Sequence, residues 1–274
     1  MHNLHAELIL FSPTGTTRTV LEAIAEGLSP ASISCLDLTL PAHAPSHAPE
    51  HAQDRSGTLA LIGMPVHAGR VPVLAVERMR AINGMGRPAV LVTVYGNRAF
   101  DDALRELRDL ATELEFVPLA SAAFIGQHSF SAPEFPVAQG RPDMADRDRA
   151  AAFGRHVRDK LAGISNEAEL RNLPELRVPG NFPYRDGVQA APISPETTSQ
   201  TCVLCGECAK ACPSAAISLR DDSVTTESTL CLRCCACIRA CPTGSRVMLH
   251  PRILEFGRTL HAQYAQRREP EFFL

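Results

Sequence analysis

The 274-residue sequence contains no tryptophan, no long basic run and no hydrophobic stretch long enough to cross a membrane. Its formal charge of -3, without a basic patch interleaved with aromatic residues, excludes a general nucleic-acid-binding protein. The apolar stretch near the N-terminus, MHNLHAELILFS, is too short for a membrane span and lacks a basic leader followed by a cleavage site. We therefore expect a cytoplasmic protein with no membrane span and no nucleic-acid partner.

Cysteine, in contrast, is abundant, and eight of the ten cysteines form two copies of the run C-x-x-C-x-x-C-x-x-x-C-P. This spacing is the ligand pattern of a protein that holds two 4Fe-4S clusters. In two-cluster ferredoxins, which the runs resemble, the fourth cysteine of each run binds the other cluster. That resemblance places cluster one on Cys202, Cys205, Cys208 and Cys241, and cluster two on Cys231, Cys234, Cys237 and Cys212.

Other uses of these cysteines fit the sequence less well. Zinc ribbons use two C-x-x-C pairs rather than four-cysteine runs, and a disulfide framework is expected in a small secreted chain. Cys235 lies between two ligands and is either a small buried residue packed near the cluster or a spare thiol that responds to oxidation. Because such clusters are damaged by oxygen, we expect an anaerobic or microaerobic host.

The N-terminal part begins with an apolar strand, the turn SPTGTTRT and an amphipathic helix. The hydroxyls of Ser12, Thr14, Thr16 and Thr17, together with backbone N–H groups near Gly15, could surround a phosphate at the positive end of the helix. The turn lacks the G-K-[ST] ending of a P-loop and the G-x-G-x-x-G pattern of dinucleotide sites. A hydroxyl-rich helix start that binds no ligand remains the alternative.

Further apolar runs at 33–38, 59–64, 89–94 and 117–124 alternate with helical patterns at 73–82, 100–114 and 146–161. Five strands with interposed helices predict an α/β doubly wound parallel sheet. In the strand order 2-1-3-4-5, a ligand binds beyond the carboxyl ends of strands one and three. The loops 65–72 and 95–100 leave this edge of the sheet.

On these features the N-terminal part resembles flavodoxin-like domains, whose first loop binds the FMN phosphate and whose next two loops enclose the isoalloxazine ring. The resemblance assigns the phosphate to Ser12, Thr14, Gly15, Thr16 and Thr17, and the ring to Pro65, Val66, His67, Ala68, Gly69, Tyr95, Gly96, Asn97 and Arg98. It implies that Tyr95 stacks on one face of the ring, with His67 on the other. Without tryptophan, the usual pair of stacking aromatics is altered. Arg98 is a candidate cation beside the ring.

The whole order of parts resembles the flavodoxin/ferredoxin fusion proteins of anaerobic bacteria and archaea, including the segments GMPVHAGRVP, VYGNRAFDDAL and PGNFPYR. We expect a flavodoxin-like FMN-binding domain at 1–163, a proline-rich connector at 164–199, a small α+β two-4Fe-4S ferredoxin domain at 200–250, and a C-terminal docking helix and tail at 251–274. Phe182 and Tyr184 are expected to dock the connector unless it is a mobile linker. The final FFL is expected to be exposed or to face a partner, and the segment 125–141 to cover the flavin or meet the cluster unit.

These parts predict an electron-transfer protein that passes electrons between two 4Fe-4S clusters and FMN, with a reductase or ferredoxin as redox partner and an unknown acceptor. The alternative is an FMN-dependent reductase of a small molecule, with the clusters supplying electrons. Clusters packed over the flavin edge would favour the carrier, and an open pocket there the enzyme. A redox sensor is a third possibility, suggested only by Cys235. His43, His47 and His51 are spaced like metal ligands, but Pro45 and Pro49 favour a solvated loop.

Overall fold

The computed structural model of the chain describes residues 4–41, 57–187, 191–198 and 200–274, so that the histidine-rich stretch around His47 lies outside the described residues. The larger part is a sheet with helices on both faces. Its strands are β1 (His5–Leu10), β2 (Ser32–Asp37), β3 (Thr58–Pro65), β4 (Pro88–Tyr95) and β5 (Val117–Ile125). Its helices are α1 (Thr16–Leu28), α2 (Val73–Met79), α3 (Ala103–Glu113) and α4 (Met144–Ala162).

The five strands run parallel in the order 2-1-3-4-5, which confirms the predicted flavodoxin-like topology. Alternation along β1 explains the two hydrophobic layers, because successive side chains of a strand point to opposite faces. Leu8 and Leu10 pack with α1 and α4 on one face, whereas Ile9 packs with α2 and α3 on the other. Both faces are therefore covered, and the carboxyl edge of the sheet remains available for a site.

The C-terminal tail adds an edge strand to the sheet. Residues Glu271–Phe273 form an additional strand that pairs antiparallel with β5 at the edge of the sheet. This strand is β10, because four short strands lie between β5 and it in the chain. The Phe272 ring stacks on Phe153 of α4, with the ring centroids 5.0 Å apart. The expected exposure of the final FFL is confirmed for Phe272 and Leu274, which are 38% and 58% exposed. The strand itself was not predicted, because three residues are too few to produce a readable pattern.

The cysteine-rich part is a small α+β unit. It contains strands β6 (Glu196–Thr197), β7 (Ile217–Arg220), β8 (Ser223–Thr226) and β9 (Arg246–Val247), and helices α6 (Glu207–Lys210) and α7 (Ala236–Arg239). Strands β6 and β9 form one antiparallel pair, and β7 and β8 form a second. Each short helix lies within one cysteine run, as the internal repeat predicts.

The connector, which includes the short helix α5 (Glu167–Arg171), docks against α3. The Asp102 carboxylate accepts hydrogen bonds from the backbone N–H groups of Asn181 and Arg185, both at 2.8 Å. The Tyr184 hydroxyl donates to Asp109 at 2.6 Å, whereas Phe182 is 68% exposed. Tyr184 and the backbone on either side of it, rather than the Phe182 ring, therefore hold the connector.

The last helix, α8 (Pro251–Tyr264), packs on the loop that follows β5. A Cβ added at Gly257 would lie 2.5 Å from a ring carbon of Phe135, so only glycine permits this close approach. His261 Nδ1 lies 2.7 Å from the carbonyl oxygen of Pro136. Among the described residues, no helix is both long and apolar enough to cross a membrane.

Candidate functional site

A cavity of about 320 Å³ lies at the carboxyl edge of the sheet, where the sequence places a ligand. The loops after β1, β3, β4 and β5 form its walls on the sheet side, and the loop 232–234 of the cysteine-rich unit and helix α8 complete it. Ten of the predicted flavin-site residues line this cavity: Thr14, Thr16, Pro65, Val66, His67, Ala68, Gly69, Tyr95, Gly96 and Arg98. Ser12, Gly15, Thr17 and Asn97 are not among its lining residues.

The turn before α1 has the features of an anion site. Gly15 adopts a left-handed conformation with φ 82° immediately before the helix, and the Ser12 hydroxyl accepts from the Arg18 N–H at 3.1 Å. Within the described residues, the first-turn N–H groups of Thr16 and Thr17 have no acceptor, and the buried Thr17 hydroxyl has no hydrogen-bond partner. Unsatisfied donors at a positive helix end fit a phosphate group.

The loop after β3 is folded back on itself. His67 and Arg70 exchange backbone hydrogen bonds at 2.9 and 3.1 Å, with Ala68 and Gly69 in left-handed conformations between them. Arg70 itself does not approach the cavity, because its guanidinium binds both carboxylate oxygens of Glu106 at 2.8 and 2.7 Å. Because of this turn, residues 65–69 line the cavity.

In the loop after β4, Tyr95 and Asn97 do not take the positions predicted for them at the flavin ring. The Tyr95 ring is only 3% exposed and packs edge-to-face on Phe100, so it presents no open face for stacking on a flavin. The Asn97 amide donates to the carbonyl oxygens of Tyr264 and Gln266 at 2.6 and 2.8 Å, and so anchors the C-terminal segment rather than lining the cavity. Both predictions failed because spacing indicates that a residue follows a strand, but not which way its side chain turns.

Two histidines face the cavity in neutral form. Burial lowers the pKa of His67 to about 4, and the positive charge of Arg233 contributes to the decrease. Burial also lowers the pKa of His128 to about 4, with further contributions from His67 and Arg98. The Phe130 N–H donates to His128 Nδ1 at 3.0 Å, so a neutral His128 carries its proton on Nε2.

Several cavity residues were not assigned to the flavin site from the sequence: Gln127, Ser129, Phe130, Leu232, Arg233, Cys234, Ile253 and Phe256. The length of the segment after β5 predicts a cover, and Phe130 packs edge-to-face on Phe256 at 6.2 Å. No local signal indicates that the loop 232–234 reaches the flavin site, because that placement depends on how the two parts of the chain pack.

Cysteines of the two runs lie close to one another. Burial raises the pKa of Cys234 to about 12, and the neighbouring thiols of Cys237, Cys231 and Cys212 contribute to the increase. Cys212, from the first run, therefore lies with the cysteines of the second. Burial also raises the pKa of Cys208, with a smaller contribution from Cys241.

Nowhere in the described ranges do three histidine, cysteine or acidic groups converge closely enough to hold one metal ion. Thiolates that bind the separate irons of a cube stand further apart than the ligands of a single ion. Cys235 is 4% exposed and takes φ 61° at the start of α7, the place that Gly206 occupies before α6 with φ 78°. It is thus a buried residue, as the first of its two interpretations holds.

Comparison with known proteins supports the C-terminal assignment. Residues 201–245 match the 4Fe-4S dicluster domain family. No curated protein matches the chain.

Several solved structures are similar to this chain over somewhat more than half of its length. A flavodoxin from the domain Archaea is 12% identical, with 58% of this chain and 99% of that chain covered and a TM-score of 0.38. A WrbA-like flavodoxin from Agrobacterium tumefaciens is 14% identical, covering 57% and 96%, with a TM-score of 0.36. The Flv1 flavodiiron core from Synechocystis is 16% identical, covering 60% and 37%, with a TM-score of 0.42. The flavodoxin-like fold itself rests on the strand order.

The strand order and the family match describe two successive parts of one chain. The first is the five-stranded parallel sheet in the order 2-1-3-4-5. The second contains both cysteine runs. The chain is therefore a fusion of a flavodoxin-like fold with a 4Fe-4S dicluster domain.

Proposed function

We propose that the protein transfers electrons between two 4Fe-4S clusters and FMN, linking one-electron and two-electron redox partners. The observation that carries this proposal is the position of Cys234, a predicted ligand of cluster two. Cys234 lines the same cavity as the predicted flavin-binding loops after β3 and β4. A cluster held there would lie against the flavin site with no intervening domain.

The residues of the cavity can hold FMN in a defined way. The first turn of α1, with the N–H groups of Thr16 and Thr17, receives the phosphate. The loop 65–69, the residues Tyr95, Gly96 and Arg98, and the segment 127–130 enclose the ring. A bound flavin exchanges one or two electrons, whereas each 4Fe-4S cluster exchanges one at a time, so the combination converts between the two kinds of chemistry.

Arg98 supplies a cation at the cavity wall, although it forms an ion pair with Asp101. A positive charge there stabilises an anionic reduced ring and raises the two-electron potential of the flavin. Replacing Arg98 with alanine should lower that potential in a spectroscopic redox titration. An unchanged potential would remove Arg98 from this role.

The order in which electrons pass between the centres follows from the solvent exposure of the predicted cluster ligands. Cys234 is 8% exposed and faces the cavity, whereas Cys205 of cluster one is exposed, with Val203 beside it 65% exposed. Cluster one is therefore the site of exchange with an external one-electron protein, such as a ferredoxin or a reductase. Cluster two relays electrons between cluster one and the flavin. Eight thiolates committed to iron fit a reducing cytoplasm, where this exchange would take place.

The packing over the cavity favours a carrier rather than an enzyme. Leu232, Arg233 and Cys234 close one wall of the cavity, where a small-molecule substrate would need access. A reductase remains the second candidate because a groove of about 610 Å³ adjoins the cavity and shares His67, Leu232 and Arg233 with it. Turnover of a small acceptor at a rate above that of electron release to a ferredoxin would favour the reductase.

The first experiment is anaerobic purification with measurement of iron, sulfide and FMN per chain during a reductive titration. We expect about eight irons and one FMN, reduced in linked steps. Full clusters that remain without FMN, even after FMN is added, would contradict the flavin half of the proposal. About four irons would contradict the second cluster.

A further inference from the structure

Arg246 is a buried arginine in the middle of the cysteine-rich unit. It lies in β9, shortly after the second cysteine run, and is 2% exposed. No carboxylate in the described parts of the chain forms an ion pair with it. A guanidinium removed from water without a counter-charge is strongly unfavourable, so its position requires a compensating negative charge.

Neutral acceptors satisfy only part of the guanidinium. One terminal nitrogen donates to the Thr197 hydroxyl at 2.7 Å, and the other to the Pro195 carbonyl at 2.8 Å and the Thr226 hydroxyl at 2.9 Å. The second nitrogen also lies 3.8 Å from the Cys237 sulfur, within the range of a hydrogen bond to sulfur. The Nε atom is buried and has no partner among the described residues.

Arg246 lies close to thiols of both predicted ligand sets. Cys237, whose sulfur it contacts, packs in one cluster of buried side chains with Cys208 and Cys212. Cys208 belongs to the predicted cluster one, and the other two belong to cluster two. A single buried cation therefore lies beside residues of both predicted ligand sets.

We propose that Arg246 is the internal counter-charge of the two clusters and raises their reduction potentials. This inference rests on the proposed function, because it requires that both clusters bind. A 4Fe-4S cluster with four thiolates carries two negative charges when oxidised and three when reduced. Reduction adds one electron to the cluster and no proton to Arg246, so a fixed positive charge stabilises the reduced form more. The effect is larger at cluster two, whose Cys237 sulfur Arg246 contacts.

The test compares Arg246→Gln with Arg246→Lys in the full-length protein by redox titration followed with electron paramagnetic resonance. Arg220→Gln, an exposed arginine of the same unit, is the matched control, because its charge is screened by water. In Arg246→Gln we expect the reduced-to-oxidised ratio of cluster two at a fixed potential to fall about tenfold, a shift of about 59 mV. Arg246→Lys and Arg220→Gln should remain close to wild type.

Each outcome is decisive. Fully loaded Arg246→Gln with unchanged potentials overturns the inference, as does Arg246→Lys with potentials as low as those of Arg246→Gln. If Arg246→Gln does not assemble clusters, Arg246→Lys decides. An Arg246→Lys protein with full clusters and wild-type potentials supports the counter-charge. An Arg246→Lys protein without clusters shows a structural need for the guanidinium and overturns the inference. A wild-type protein without iron would instead overturn the proposed function.

Discussion

The Arg78 guanidinium donates to the Pro213 carbonyl at 2.7 Å, joining helix α2 of the sheet to the proline that ends the first cysteine run. Its other terminal nitrogen donates to the carbonyls of Leu38 and Thr39 at 2.8 and 2.6 Å. From the second cysteine run, Arg239 donates to the Thr14 carbonyl in the turn before α1 at 3.4 Å. Two arginines thus link the cluster unit directly to the sheet, which limits relative motion between the proposed redox centres.

Replacing Arg78 with alanine should loosen this link. The change removes the donor for three carbonyl groups, so we expect the free energy of unfolding to fall by about 1–3 kcal/mol. Electron transfer from the clusters to FMN should slow, because the separation of the centres becomes less well defined. Denaturant unfolding and rapid-mixing kinetics measure the two effects, with the exposed Arg155→Ala as control. Normal transfer kinetics in a destabilised Arg78→Ala protein would show that the link is not needed to position the clusters.

The crossing of the cysteine runs is tested by comparing single alanine variants. If Cys212 binds cluster two, Cys212→Ala should lose the same resonance signal as Cys234→Ala, even though Cys212 lies in the first run. Cys205→Ala should lose the other signal and about four irons while leaving FMN reduction by cluster two intact. Electron paramagnetic resonance and iron analysis give the comparison. A Cys212→Ala spectrum that matches Cys205→Ala would contradict the crossed assignment.

Asn97 should act on stability rather than on FMN affinity. Its amide holds the carbonyls of Tyr264 and Gln266 and accepts from the Arg268 N–H at 3.3 Å, just before β10. We expect Asn97→Ala to lower the free energy of unfolding by about 1–3 kcal/mol and to increase hydrogen exchange at residues 271–273. Titration with FMN should show a dissociation constant within about threefold of wild type. A large loss of FMN affinity, with unchanged hydrogen exchange at residues 271–273, would instead show that Asn97 contacts the flavin ring.

The two cavity histidines should make stability depend on pH. In an unfolded chain a histidine has a pKa of about 6.5, whereas in the folded protein His67 and His128 each have a pKa of about 4. Between these values the unfolded chain binds more protons, so stability increases with pH over this range and is lost on acidification. Lowering the pH from about 7 to about 5.5 should cost roughly 1 kcal/mol for each of His67 and His128.

The double variant His67→Gln, His128→Gln tests this dependence by denaturant unfolding at both pH values. It should lose less stability on acidification than wild type, and His156→Gln on the exposed face of α4 should behave as wild type. An equal loss in all three proteins would place the pH dependence elsewhere.

The sequence alone was sufficient to predict the sheet order and the 4Fe-4S domain, whereas the phosphate role of the turn before α1 stays a prediction. These features are local: strand alternation, helix periodicity and ligand spacing depend on residues close together in the chain. Thr14 and Thr16, with the loop 65–69, line the cavity as predicted.

Only the tertiary structure decided which side chains turn toward the site and how the two parts of the chain meet. The Tyr95 ring turned into the core against Phe100, and Asn97 turned to the C-terminal segment, because packing between distant segments determines side-chain direction. Cys234 reached the cavity at the carboxyl edge of the sheet through contacts between residues more than a hundred positions apart, such as that between Arg78 and Pro213. The sequence predicts which residues bind the proposed redox centres, whereas the route between those centres depends on long-range packing.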